Sequence, residues 1–400
     1  MWPERSSNIS SGTPVKREPT KIKSGCNLGD KIKINGISIA PDEHKLVNLR
    51  IARLPTHTNI DLPVHVIRGP EPGPVLLLTA GLHGDEVNGI EIVRRMISAN
   101  LLRPAAGTVL AMPIVNVYGF LQNARYLPDG KDLNRSFPGS RQGSLARRVA
   151  WNLMNHVVPL ADVGVDFHTG GASLHNHPHI RCVMSIPRNR ELAAAFAPEC
   201  VLNAKMIDKS FRKAAHKAGK HIIVFEGGES LRFHEESIQA GMAGTLRLMR
   251  YLNMISELPG SATMSVAAAV PGTGSGSPQG QDQTLMNMTA VGTDTPGTGT
   301  GTGTGIRTVT GAPVTHFFTG SSWIRARFSG LYRGSVNAGD WIKKGQLLGT
   351  ITDPFGESEY HLKAPSSGFV VSVNRMPVVN MGDAIIHVAR KSGGTAVGSD

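Results

Sequence analysis

The chain has 400 residues, 40% hydrophobic, 18% charged and only 5% aromatic, room for two or three domains at the usual ~100–200 residues each. Lys and Arg exceed Asp and Glu by 12, an excess compatible with nucleic acid, an anionic membrane or an acidic small molecule as partner. No run of about 18 apolar residues occurs, so no membrane-spanning helix is expected. The opening MWPERSSNISSGTPVKREPTKIKSG has no apolar segment behind its charges and does not read as a secretory signal. Cys26, Cys182 and Cys200 are too few and too scattered for a disulfide framework or a CxxC metal site, which points to a reducing, cytoplasmic setting.

In chain order, residues 1–29 read as a disordered basic tail. Residues 30–258 alternate continuous apolar runs with amphipathic stretches. Strands are expected at VLLLTAG (75–81), TVLAMPIVN (108–116), VGVDFHTG (163–170), RCVMSI (181–186) and HIIVFEGG (221–228), and helices over 86–102, 143–158 and 235–255. That alternation predicts an α/β sheet covered by helices on both faces, with chemistry gathered at the carboxyl ends of its strands. Many of the 46 glycines fall in residues 259–313, a Gly/Thr/Pro-rich stretch almost free of charge and of large apolar residues, expected to be a flexible linker. Residues 314–395 are short strands punctuated by glycine in two similar halves, a small all-β domain; 396–400 is a tail.

The strand ends carry the chemistry. GLHGDEVNG places His83 and Glu86 three residues apart just before a helix, where both side chains can turn to one point. VGVDFHTGG ends a second strand on His168. Two imidazoles and one carboxylate are the ligand set of a catalytic zinc with a fourth position left open. A rival histidine group, His175, His177 and His179 in LHNHPH, reads as a polar, Pro-containing loop facing solvent or substrate. Between the ligand strands, NARYLPDGKDLNRSFPGS offers Arg125 and Arg135, whose planar forks match a carboxylate or a developing oxyanion, with Asn134 beside them. HIIVFEGGES puts Glu226 at a strand end as the candidate general base, with Glu229, beyond two glycines, as its competitor.

GLHGDEVNG, the ARY and DLNRSFPG segment, DFHTGG and VFEGG, in that order, resemble the succinylglutamate desuccinylase and aspartoacylase family, relatives of the zinc carboxypeptidases. The resemblance covers about residues 60–258 and implies a zinc carboxypeptidase-like mixed sheet with one zinc ion per chain on His83, Glu86 and His168. It further implies that Asn134 and Arg135 bind a substrate carboxylate, that Arg125 polarises the scissile carbonyl, and that Glu226 acts as base and then acid. The segment YLPDGK is longer than in aspartoacylase, which suggests a branch nearer the bacterial-type deacylases that include an acetyl-diaminobutyrate deacetylase. The C-terminal part resembles the barrel-sandwich of biotinyl and lipoyl carriers, but the turn TDPFGESEY holds no lysine and Lys363 lies in the next strand, so a swinging-arm role is not expected. In the family such a domain packs beside the catalytic unit and shapes its mouth.

The function these features imply is hydrolysis of the amide bond of a small anionic N-acyl amino acid. A carboxypeptidase acting on peptides could use the same residues. A third reading is a non-catalytic basic binding protein: residues 181–221 hold nine Lys/Arg against three Asp/Glu, but no interleaved aromatics or nucleic-acid motif accompany them, so neither nucleic acid nor membrane is expected as partner. Assembly into a homo-oligomer is left open by the sequence.

Overall fold

The computed structural model describes residues 32–53, 56–256 and 314–390; the predicted tails at 1–29 and 396–400 and the Gly-rich stretch at 259–313 lie outside them. An α/β body runs β1 (Ile32–Ile34), β2 (Ile37–Ile39), β3 (His44–Arg53), β4 (Asn59–Arg68), β5 (Glu71–Thr79), α1 (Val87–Ser98), β6 (Ala106–Met112), α2 (Val117–Leu121) and α3 (Leu145–Asn152). It continues with β7 (Val163–Gly170), β8 (Leu174–Cys182), α4 (Pro187–Phe196), β9 (Cys200–Asn203), α5 (Phe211–Lys217), β10 (His221–Glu229) and α6 (Glu235–Tyr251). A β body then holds β11 (His316–Phe318), β12 (Gly320–Arg325), β13 (Gly330–Gly334), β14 (Trp341–Ile342), β15 (Leu347–Thr352), β16 (Glu359–Lys363), β17 (Gly368–Asn374), β18 (Val378–Val379) and β19 (Ala384–Arg390).

The mixed α/β architecture matches the expectation. β6, β5, β7 and β10 lie side by side in parallel at the centre. Their apolar runs are unbroken because helices cover both faces. On one face α1, α4 and α6 bury Ile90, Val93, Phe196, Ile238 and Met242 against Leu78, Phe167 and Phe225. On the other, α3 and α5 bury Val149, Ala150, Phe211 and Ala215 against Leu77, Leu110 and Ile222. Antiparallel β4 and β3 extend the sheet beyond β6.

Two local expectations are corrected. LHNHPH is no loop: residues 174–182 form β8, antiparallel to β10, and most of RCVMSI, read as a strand, lies in the turn that follows. Proline and histidine carry no strand signal, and the strand exists because β10 and β17 bond to it from either side. Pro178 is tolerated where the β8–β10 register shifts, between the pairs Glu226↔His179 and Gly228↔Asn176.

The β body is joined to this sheet edge. β11 adds in parallel to β9, and β17 pairs antiparallel with β8 through Ser372↔Asn176 and its neighbours, so that one 13-stranded sheet passes through both bodies. β13, β15, β16 and β18 form a separate four-stranded sheet, with Ile351, Leu362 and Tyr332 in the core that faces Val370, Ile386 and Val388. At the junction Cys200, Leu202, Phe318, Phe369, Val371 and Ala389 make one buried cluster. The rings of Phe318 and Phe369 stack there, 5.6 Å apart. Phe369→Ala should therefore cost about 3–5 kcal/mol of stability, read as a lower midpoint of chemical denaturation; an unchanged midpoint would show that this cluster does not hold the two bodies together.

Candidate metal centre and pocket

The loop after β5 carries His83 and Glu86 into α1, whose first turn begins just past Glu86. Gly84 between them lies so close to α2 that an added Cβ would fall 1.9 Å from the Gly119 carbonyl carbon, so no side chain fits there. β7 contributes His168 from the adjacent parallel strand. The three side chains are buried, and their ligand atoms all lie within 4.8 Å of one another. Glu86 Oε1 is 2.7 Å from His83 Nδ1, and Oε2 is 2.8 Å from His168 Nδ1. The Thr169 backbone N–H donates to the same Oε2.

The outer nitrogens of both rings are held by carboxylates that sequence reasoning did not single out. His83 Nε2 is 3.1 Å from Asp132 Oδ1, and His168 Nε2 is 2.7 Å from Asp166 Oδ2; Thr79 Oγ1 donates to the other Asp166 oxygen. With a metal bound, a carboxylate on Nε2 would hold the proton there and free Nδ1 to ligate, the usual outer shell of a metal-ligating histidine. Burial alone would raise the Glu86 carboxyl, but His83 and His168 outweigh it and hold Glu86 well below the usual carboxylate range. Two imidazole nitrogens and one carboxylate, converging with their partners already oriented, fit a small divalent ion with an open fourth position.

Around this centre the structure gathers the remaining candidates along one cavity of about 280 Å³, lined by Arg125, Asn134, Arg135 and Glu226 as well as by the three candidate ligands. Arg125 bridges Glu86 Oε1 at 3.2 Å and Asp132 Oδ2 at 3.1 Å. Asn134 sits in a single helical turn, Leu133–Arg135, opened by Asp132; its Oδ1 accepts from the Phe211 N–H, which leaves its Nδ2 to the cavity. Arg135 is exposed and has no carboxylate partner among the described residues. Glu226, at the end of β10, receives Asn176 Nδ2 on Oε2 at 3.0 Å and Arg181 Nη1 on Oε1 at 3.1 Å. Glu229 does not line the cavity and meets Arg232 and Arg375 instead. Of the two competing carboxylates, only Glu226 lies on the cavity wall.

The histidine trio divides. His179 lines the cavity, whereas His177 pairs with Glu199 and packs on Phe369, and His175 packs edge-on against His234. Sequence reasoning also missed Arg212 in α5, a buried guanidinium on the cavity wall. It donates to the carbonyls of Arg181, Ala204 and Lys205 and has no acid partner among the described residues; burial lowers it to about 10. The β body supplies Trp323 and His387, stacked 4.5 Å apart, to the same lining.

The profile of the succinylglutamate desuccinylase/aspartoacylase catalytic domain matches residues 72–252. An N-alpha-acetyl-L-2,4-diaminobutyric acid deacetylase from Halomonas elongata is 27% identical over 340 residues, covering 82% of this chain and 85% of that protein. Among solved structures, a succinylglutamate desuccinylase/aspartoacylase from Rhodobacter sphaeroides superposes with a TM-score of 0.67 at 22% identity, covering 88% of this chain and 96% of its own. The product-bound ectoine utilization protein EutE (DoeB) from Ruegeria pomeroyi gives 0.66 at 20% identity, covering 91% and 99%. The likeness in fold spans both bodies, and the profile match runs from β5 through α6 across every candidate ligand: residues 72–252 match the catalytic domain of the succinylglutamate desuccinylase/aspartoacylase family.

Proposed function

We propose that the protein is a zinc-dependent deacylase that hydrolyses the amide bond of a small anionic N-acyl amino acid. The observation that carries this reading is the convergence, in one small cavity, of a buried His83–Glu86–His168 donor set, the non-ligand carboxylate Glu226, and the arginines Arg135 and Arg212 with no acid partner among the described residues. When bound on that donor set, one zinc ion per chain supplies the charge that acidifies water and polarises a carbonyl. Glu226 takes a proton from the attacking water onto its carboxylate and returns it to the departing nitrogen. Arg125, with its guanidinium beside Glu86, stabilises the negative charge that develops on the carbonyl oxygen. Asn134 Nδ2 and the Arg135 fork grip the substrate carboxylate.

The size of the cavity and the Trp323–His387 pair on its wall favour a small substrate over a peptide, since a peptide chain needs an open groove. The basic stretch at 181–221 is partly accounted for by Arg181 and Arg212, which face the cavity. A cytoplasmic setting belongs to the same proposal, supported by the small number of cysteines; among the described residues no helix is long and apolar enough to cross a membrane.

The test is metal analysis of the purified protein followed by a panel of N-acetyl, N-succinyl and N-formyl amino acids and short peptides, with and without a chelator. One zinc per chain and chelator-sensitive release of the acyl group from a single amino acid class are expected. Turnover of peptides alone would replace the reading with a carboxypeptidase, and an intact, metal-free protein without turnover would end it.

A further inference from the structure

His179 has a place in the cavity that neither the metal centre nor the gripping residues explain. In the β8–β10 register it stands directly opposite Glu226, and residues so paired project from the same face of a sheet with their Cβ atoms about 4.5–5.5 Å apart. Its Nδ1 lies 2.7 Å from the His177 carbonyl oxygen. A carbonyl only accepts, so Nδ1 carries the ring proton. The ring is 3% exposed and has no carboxylate partner among the described residues. Burial, reinforced by Arg181 and His387 nearby, pushes its pKa down to about 3. The imidazole is therefore neutral with a fixed tautomer, and Nε2 is a bare lone pair with no hydrogen-bond partner among the described residues, on a ring that lines the cavity. Asn134, Arg181 and Arg212, on the same cavity lining, carry donors. An acceptor held in this way, one strand from the general base, is open to a donor from the ligand.

We propose that His179 Nε2 accepts a hydrogen bond from the N–H of the scissile amide and so turns the nitrogen lone pair toward Glu226. The inference rests on the deacylase reading above. After water has added to the carbonyl carbon, the nitrogen is pyramidal and bears one N–H, one lone pair and two carbon substituents. Breaking the C–N bond leaves its electron pair on nitrogen, the proton that Glu226 took from water passes to that nitrogen, and the acyl carbon becomes a carboxylic acid. The proton transfer is efficient only if the lone pair points at the Glu226 carboxyl, and anchoring the N–H on the adjacent strand sets that orientation.

An ester offers the control, because its leaving oxygen has no N–H to anchor. The experiment compares the N-acetyl amino acid turned over fastest in the panel with the O-acetyl 2-hydroxy acid of the same carbon skeleton. His179→Phe keeps a buried ring and removes the acceptor. It is expected to lower kcat/KM for the amide about tenfold to a hundredfold, chiefly through kcat, the range for leaving one buried polar group unpaired, and to leave ester hydrolysis within about twofold. His179→Gln, which restores an acceptor oxygen, should recover part of the amide rate. Equal losses on amide and ester, or no loss on either, would overturn the assignment. Wild-type protein that hydrolyses neither compound would instead defeat the deacylase reading itself. Should His179→Phe not fold, His179→Leu carries the same comparison.

Discussion

Glu226→Gln is expected to lower kcat by about a thousandfold or more while leaving the zinc content of the protein unchanged. General acid–base assistance is typically worth about 10²–10⁴ in rate, and Glu226 is asked to act twice in one turnover. The substitution is nearly isosteric, and the Gln carbonyl oxygen can still receive Asn176 Nδ2. What disappears is the capacity to hold a proton. No metal ligand is touched, because Glu226 bonds to Asn176 and Arg181 and not to the His83–Glu86–His168 set. Turnover and metal stoichiometry measured on one preparation separate the two effects. Activity within tenfold of wild type would remove Glu226 from the mechanism; a parallel loss of zinc would make it a residue of the metal site instead.

His168→Ala should abolish stoichiometric zinc binding. The variant removes one of three donors and leaves Glu86, a buried carboxylate, facing His83, Arg125 and the Thr169 backbone N–H. Loss of an outer-shell partner commonly costs about 10–100-fold in metal affinity, and loss of a ligand itself should exceed that. Asp166→Asn provides the graded comparison: Asp166 holds His168 Nε2 at 2.7 Å without reaching the cluster, so affinity should fall within the outer-shell range, about 10–100-fold. Competition titration against a zinc chelator reads both variants. Zinc held as tightly by His168→Ala as by wild type would remove this cluster as the metal centre.

How far the sequence revealed this arrangement follows from where the information sits. His83 and Glu86 share one turn, and His168 follows a continuous apolar run, so local spacing exposed them. Asp166 was within reach of the same logic: it lies two residues before His168 in a strand, and such residues project from one face. Asp132 was not, because it meets His83 across 49 positions of chain and nothing local marks the pairing. β8 was misread for a related reason. Its polar residues violate the strand pattern, and they are tolerated only because Asn176, His179 and Arg181 face the cavity while His175 and His177 meet His234, Glu199 and Phe369. Arg212 entered the sequence reading only as one of the basic residues of 181–221, whereas its place on the inner side of α5 with Phe211, Ala214 and Ala215 puts it against the cavity wall. The C-terminal strands were recognisable as a β unit from their glycine spacing, but not their attachment to the large sheet, since β9 and β11 pair across residues 204–315, a span that includes the Gly-rich stretch at 259–313.

That attachment bears on what each part of the chain would be without the other. β8 bonds to β17 through its first residues, and the free side of β9 is taken by β11. A chain ending after residue 256 would present both as bare hydrogen-bonding edges, beside the apolar side chains of Cys200 and Leu202, which are now covered by Phe318 and Phe369. Open edges of this kind template association with other chains. The β body is thus a seal on the large sheet, through β11 and β17, as well as a wall of the cavity, through Trp323 on β12 and His387 on β19.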